Sequence, residues 1–236
     1  MKHFVVGRGE IGSAIIEILD LNGEEVYSFD IRDEDGTEFD INADILHVCF
    51  PYFELFTNQV KEYIKKVKPV HTIVYSTVPI GTCVELNVVH SPVEGRHPQL
   101  ADSIRKMTRW IGTANHDEFK FFSNLFLSFG MSTRWAMNSN YTEFLKLRST
   151  AKYGINLIWT DYEKKVADEI GMDFGLLKQF DTDYNNLYKG MGMHWAQRYI
   201  LNPPDGKIGG HCIVPNAELL DEQYPSELLR MIKEYE

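Results

Sequence analysis

Residues 1–30 read MKHFVVGRGEIGSAIIEILDLNGEEVYSFD, and this stretch decides the fold. His3–Val6 is a short apolar run, the pattern of a buried strand. Gly7-Arg8-Gly9-Glu10-Ile11-Gly12 follows at once. Ile11, Ile15, Ile16, Ile18 and Leu19 then recur at helical spacing, and Gly23 stands just past them, where a helix stops. Glu25–Phe29 reads as a second strand ending at Asp30. Strand, glycine turn, helix and strand in this order make a βαβ unit with parallel strands.

Outward from this unit the alternation continues. ADILHVCF (43–50) is a third apolar run, stopped by Pro51. Residues 54–67 carry Val60, Ile64 and Val67 at helical spacing, and Pro69 ends them. HTIVYSTV (71–78), VVHSP (88–92) and RWIGTA (109–114) read as strands, 117–129 as an amphipathic helix, and 133–136 as a strand. The pattern predicts an α/β fold over 1–138: a Rossmann-like, doubly wound, mostly parallel sheet. From Ser139 to about Gly171 there is no proline and one internal glycine, Gly154. Phe144, Leu147, Ala151, Ile155, Ile158, Tyr162, Val166 and Ile170 recur every three or four residues. That predicts one helix of ~30 residues, ~45 Å long. Residues 139–236 are therefore expected to form a helical domain for substrate binding and dimerisation. Its apolar stripe exceeds what the rest of the domain covers, so a homodimer through the long helix is expected. A second helix is expected over 174–188, a loop rich in Pro and Gly over 202–216, and a short helix over 226–235.

The 236 residues have an ordinary globular composition and a formal net charge of −10, which disfavours a nucleic-acid binder. No apolar run approaches the ~18–20 residues of a membrane span. The N-terminus reads as a strand, not an export signal. Cys49, Cys83 and Cys212 cannot all pair and none sits in a CxxC, which points to the reducing cytoplasm. The eight histidines are scattered, and no metal site is expected.

GRGEIG fits the dinucleotide-binding pattern, and its setting strengthens it. A strand precedes it, a helix follows, and Asp30 lies 18 residues beyond Gly12. Gly7 permits the turn, Gly9 lets backbone approach a pyrophosphate, and Gly12 lets helix and strand touch. Glu10 and Ile11 complete the cofactor-binding candidates of the loop. Asp30 can hold both ribose hydroxyls, which favours NAD, while Arg32 keeps NADP admissible. Phe50, Pro51, Ser76 and Thr77 follow two parallel strands, where ligands of such sheets sit. Thr77 bonds either the cofactor or a substrate hydroxyl, or merely closes a strand end.

Two further residues carry candidate chemistry. Cys212 lies in the glycine loop KIGGHC, open to a ligand's approach, and is either a nucleophile or a small buried residue. Lys146 lies near the start of the long helix and either stabilises an alkoxide or is a solvated helix lysine. Its face continues through Thr150, Tyr153, Leu157 and Asp161. His211 adjoins Gly210, but neighbouring side chains diverge, so no Cys–His dyad is assumed. HSP (90–92) and GRHP (95–98) form a basic loop, read as a phosphate contact or a solvated turn. DTDYNN (181–186) lacks the glycine and glutamate of a calcium loop.

Taken in order, GRGEIG, Asp30, VCFP, STVPIGT, SPVEG, TEFLK and GGHC resemble the UDP-glucose/GDP-mannose dehydrogenase family, in a short form lacking the C-terminal nucleotide-binding domain. The resemblance implies an enzyme that oxidises a sugar's primary alcohol to a carboxylate with two NAD. It implies Cys212 as the nucleophile that forms a thiohemiacetal, Lys146 as the oxyanion stabiliser, Thr77 as the site threonine, and Glu94 as the family's glutamate, displaced so that Val93 takes the more natural position. A sugar nucleotide or sugar phosphate is the implied substrate. Three positions depart from the family: Thr150 and Asp161 stand where asparagine is usual, and Asn216 where a catalytic aspartate is usual. Asparagine is no general base, which bears on thioester hydrolysis. Only 24 residues follow Cys212. Two other readings stay open: a single-hydride dehydrogenase of the hydroxyacid or 6-phosphogluconate type, and a non-catalytic NAD-binding protein.

Overall fold

The computed structural model describes residues 1–33, 41–95, 98–208 and 212–235. They form two compact units, Met1–Lys146 and Leu147–Glu236.

The first unit is built on five parallel strands: β1 (Lys2–Val6), β2 (Glu25–Phe29), β3 (Ile45–Val48), β4 (His71–Val74) and β5 (Val89–His90), in the order β2-β1-β3-β4-β5. Central strands of such a sheet are covered on both faces, so they read as continuous apolar runs. Phe4, Val5, Ile45, Leu46, Ile73 and Val74 are fully buried accordingly. Side chains alternate between the faces. Val5, Ile45 and Ile73 pack in one core with Ile15 and Ile18 of α1 (Glu10–Leu21), Ile104 of α4 (Leu100–Lys106), and Phe122 and Phe126 of α5 (His116–Ser128). Phe4, Val6, Leu46, Val48 and Val74 pack in the other with Phe56, Val60 and Val67 of α2 (Phe56–Val67) and Cys83 and Leu86 of α3 (Thr82–Leu86). The sheet is doubly wound, as expected.

The strands expected over 109–114 and 133–136 form a separate parallel pair, β6 (Arg109–Ile111) and β7 (Thr133–Trp135). One antiparallel bridge, His90 to Gly112, connects them to β5. Helices α3 and α4 were not expected; at five and seven residues they are too short to show a period.

The sheet also buries a polar chain. Tyr75 Oη lies 3.2 Å from His47 Nδ1, His47 Nε2 lies 2.8 Å from His3 Nδ1, and His3 Nε2 lies 3.3 Å from Glu24 Oε2. All three contacts are satisfied with neutral rings if Tyr75 donates to His47, His47 to His3, and His3 to Glu24. Burial pushes the pKa of His3 down and that of His47 well down.

Helix α6 (Ser139–Glu169) spans 31 residues and begins in the first unit. The second unit adds α7 (Phe174–Gly190), a 3₁₀ turn (His194–Ala196), α8 (Ile213–Gln223) and α9 (Glu227–Glu234). Gly154 of α6 is a packing point: a Cβ there would stand 2.8 Å from Ile213 and 3.1 Å from Ile232. Helix α8 starts inside the expected loop. Its Pro215 sits in the first turn, where a missing N–H leaves no intrahelical bond unmade. Helix α7 buries none of its residues, and Leu176, Phe180 and Leu187 are exposed on it. Trp159, Tyr162 and Val166 of α6 are exposed as well.

Candidate active site

The strand order places a switch point between β1 and β3, from which the chain winds to either side. Ligands of open α/β sheets settle in this crevice, outside the carboxyl ends of the strands. The glycine turn is built for it. Gly7 has φ +88°, and a Cβ there would stand 2.8 Å from the backbone N of Phe50, at the end of β3. A Cβ on Gly12 would fall 1.8 Å from the Gly7 carbonyl oxygen. Around Gly9, by contrast, an added Cβ meets nothing within 4 Å. Gly9 is also the N-cap of α1 and, as a glycine, brings no capping side chain of its own. A helix start with a glycine N-cap lets an anion come close to its N–H donors and positive dipole end. These residues fit the pyrophosphate of a dinucleotide. Glu10 is exposed, whereas Ile11 is half-buried and packs against the core.

Ser76 donates to the Phe50 carbonyl at 2.6 Å and so fastens the end of β4 to that of β3. Phe50 is half-buried with its ring 4.8 Å from that of Phe56, Pro51 is exposed, and Thr77 is half-buried.

Asp30 is almost wholly buried at the end of β2. Its Oδ2 accepts from the Arg8 backbone N at 2.7 Å and from Arg32 Nη2 at 3.0 Å. Its Oδ1 accepts from Arg32 Nε at 2.6 Å and from the Arg32 backbone N at 3.1 Å. The Arg32 guanidinium holds the Asp30 carboxyl far below the usual carboxylate range, against the opposing effect of burial. Beside it, the Arg8 guanidinium pairs with Asp33, whose other oxygen accepts from the Asp30 backbone N at 2.9 Å. Both oxygens expected to take ribose hydroxyls are thus engaged by Arg32 and Arg8.

Lys146 and Glu94 come together. Lys146 Nζ donates to the Val93 carbonyl at 2.7 Å and stands 3.4 Å from Glu94 Oε1, with its side chain 12% exposed. The one-residue displacement in SPVEG is explained here: the Val93 side chain belongs to the core, and Glu94 carries the carboxylate that reaches the ammonium. One turn earlier on α6, Glu143 is fully buried and accepts from the backbone N of Gly81 and of Cys83, each at 2.7 Å. Burial raises its pKa, and the two N–H donors oppose the rise. Glu143 thereby ties the STVPIGT turn to the helix that carries Lys146.

His90 and Ser91 correct the expected basic loop, since both are fully buried. His90 Nδ1 lies 2.8 Å from Thr142 Oγ1 and Nε2 lies 3.2 Å from the Ser76 carbonyl, which assigns the proton to Nε2. Burial pushes its pKa down to about 3, and the Ser76 carbonyl only partly offsets this. Ser91 accepts from Arg109 Nη2 through both its carbonyl and its hydroxyl, at 2.9 and 2.7 Å. Arg96 and His97 lie outside the described residues.

Sequence reasoning did not single out Glu143 or Arg109. The signal for Glu143 was its place three residues before Lys146, on the buried side of the helix.

In the second unit Cys212 is exposed at the N-cap of α8. Gly209, Gly210 and His211 lie outside the described residues. Asn216, one turn on, is buried, and its Nδ2 donates to Thr150 Oγ1 at 3.0 Å. The two positions that depart from the family are thus hydrogen-bonded to each other. The third, Asp161, pairs with Lys165 at 2.8 Å and with the hydroxyl of Tyr235. Cys49 and Cys83 are buried free thiols, both pushed upward in pKa by that burial. Among the described residues no His, Cys, Asp and Glu side chains are grouped to hold a metal ion, and no helix is long and apolar enough to cross a membrane.

No family model matches the sequence, and no curated protein matches it. Solved structures do. The UDP-D-ManNAc dehydrogenase of Pyrococcus horikoshii superposes with a TM-score of 0.79 at 17% identity, over 99% of this chain and 67% of that one. The UDP-N-acetyl-mannosamine dehydrogenase of Staphylococcus aureus gives 0.73 at 14%, over 99% and 67%. The 3-hydroxyisobutyrate dehydrogenase of Mycobacterium tuberculosis gives 0.73 at 13%, over 98% and 91%. The chain has the fold shared by UDP-sugar dehydrogenases and this hydroxyacid dehydrogenase.

Proposed function

We propose that the chain is an NAD-dependent oxidoreductase acting on the CH–OH group of a sugar nucleotide or sugar phosphate. The observation that carries the reading lies in the first unit: a glycine turn and glycine N-cap at the switch point, and a lysine held between the Val93 carbonyl and Glu94. The fold shared with UDP-sugar dehydrogenases supports it. Bound NAD supplies a hydride acceptor. The α1 amides would hold its pyrophosphate, and Asp30 would take its ribose. Lys146 places positive charge beside the substrate oxygen as the alcohol becomes a carbonyl, and Glu94 orients the ammonium. Thr77 bonds the cofactor or a substrate hydroxyl. In the two-hydride form, the Cys212 sulfur adds to the aldehyde carbon and the oxygen takes up a proton, giving a thiohemiacetal. Loss of its hydroxyl proton to water, and of a second hydride to the acceptor a second NAD would supply, would leave a thioester. Water cleaves it to the carboxylate and returns the thiol.

Asn216 favours a second reading. Its amide cannot take a proton from water, and it is committed to Thr150. A single-hydride oxidation of a hydroxyacid, with no covalent part for Cys212, needs no such base.

The exposed apolar faces of α6 and α7 support a homodimer through the long helix, and the three free thiols suit the cytoplasm.

NADH absorbance with a panel of nucleotide sugars, sugar phosphates and hydroxyacids tests the reading. Two NADH per sugar in the parent, one in Cys212→Ser, and loss of rate in Lys146→Met support the two-hydride form. Turnover of a hydroxyacid unaffected by Cys212→Ser supports the second reading. No NADH from any substrate refutes both and leaves a non-catalytic dinucleotide-binding protein.

A further inference from the structure

The end of β2 carries an ionic quartet, and its charge balance has a consequence for the ligand. Asp30 and Asp33 supply two negative charges; Arg8 and Arg32 supply two positive ones. A lone aspartate at this position excludes a 2′-phosphate by like charge. Here that exclusion is cancelled at its source, because Arg32 forms a two-pronged pair with Asp30, through Nε at 2.6 Å and Nη2 at 3.0 Å. Its Nη2 also reaches the Arg8 carbonyl at 3.2 Å, so the guanidinium lies against the Arg8–Gly9 peptide of the glycine turn. Yet the Arg32 side chain is 71% exposed and that of Arg8 40% exposed. Both are anchored at one edge and open to solvent at the other.

We propose that Arg32 is the residue that sets cofactor choice, and that it makes this site accept a 2′-phosphorylated adenine dinucleotide as well as an unphosphorylated one; the proposal rests on the dinucleotide-binding reading given above. Two alternative arrangements follow from the same four side chains. For an unphosphorylated ribose, Arg32 swings out through its exposed edge and leaves Asp30 to accept the hydroxyl protons. For a 2′-phosphate, Arg32 stays and turns its remaining N–H donors to the phosphate oxygens, with Arg8 alongside. Guanidinium groups suit this task because their donors form a planar fork that matches phosphate oxygens. The quartet contributes no net charge, so the incoming phosphate meets no net repulsion from it.

Calorimetry on the full chain, with AMP, adenosine 2′,5′-bisphosphate, NAD and NADP as probes, tests this without reference to turnover. The parent is expected to bind NADP within about tenfold of NAD, and the bisphosphate at least as tightly as AMP. Arg32→Ala, at an exposed side chain, should weaken the bisphosphate and NADP by more than about tenfold while leaving AMP and NAD unchanged or tighter. Arg32→Lys keeps the charge and should fall between. A parent that disfavours NADP by more than about a hundredfold, or an Arg32→Ala variant with an unchanged NADP-to-NAD ratio, overturns the proposal alone. Binding of none of the four probes overturns the dinucleotide-binding reading along with it.

Discussion

Acidification should release His90, and the size of the effect follows from its surroundings. The ring is fully buried, with one nitrogen donating to the Ser76 carbonyl and the other facing the Thr142 hydroxyl. Its pKa falls from 6.5 to about 3, chiefly through burial, with Arg109 and Lys146 adding repulsion. The unfolded chain therefore takes up a proton near pH 6.5 while the folded one refuses it. Stability from this group is complete above that pH and is lost as the pH falls toward the folded value. Between about pH 7.5 and pH 4.5 the loss comes to about 2.6 kcal/mol. A folded pKa one unit higher changes this by only ~0.1 kcal/mol, because pH 4.5 still lies above it. The loss is a large share of the ~5–15 kcal/mol of a typical domain. The assay is urea unfolding followed by circular dichroism across that range, in the parent and in His90→Gln. Glutamine offers an N–H to Ser76 but does not titrate. The variant starts less stable and should fall less steeply with acid, by about 2.6 kcal/mol over the range. Parallel curves for the two proteins would refute the assignment of a neutral, buried His90.

His3 and His47 add to the acid loss in the same direction, so a His47→Gln variant should also flatten the curve. Gly12→Ala should abolish dinucleotide binding in calorimetry, since its methyl would meet the Gly7 carbonyl oxygen at 1.8 Å and the turn would have to open. Iodoacetamide followed by peptide mass spectrometry should label Cys212 at neutral pH and spare Cys49 and Cys83, which are buried with raised pKa values; equal labelling of all three would contradict the burial described. Light scattering at micromolar concentration should give twice the 27.3 kDa chain mass, and a clean monomer would leave the exposed faces of α6 and α7 unexplained.

What the sequence made legible was what local patterns encode. The glycine turn needs particular backbone geometry, so Gly7, Gly9 and Gly12 announced it, and the apolar runs of β1, β3 and β4 announced a sheet covered on both faces. The 31-residue helix was legible from its period, and Lys146 from its place on that helix. Long-range partners were not legible. That Glu94, rather than residue 93, meets Lys146 depends on how β5 runs into its loop. That Glu143 binds the Gly81 and Cys83 amides depends on where α6 packs. His90 and Ser91 looked like a surface basic loop because a histidine next to a serine and a proline gives no local sign of burial. Helix α8 stayed hidden because Pro215 suggests a break, although a proline in a first turn costs no hydrogen bond.

Two helix starts in the first unit have been treated in opposite ways. At α1 the N-cap is Gly9, with no side chain of its own and open space where a Cβ would stand. At α3 the amides of Gly81 and Cys83 are already bound by the carboxylate of Glu143, so the protein brings its own anion to that position. A phosphate arriving in solution would have to displace a fully buried, covalently tethered competitor there, whereas at α1 the N-cap brings no such side chain. Filling one start from within and giving the other a glycine cap sets the two apart as landing places. The choice of where a charged ligand settles is therefore written partly in a glutamate that never touches it.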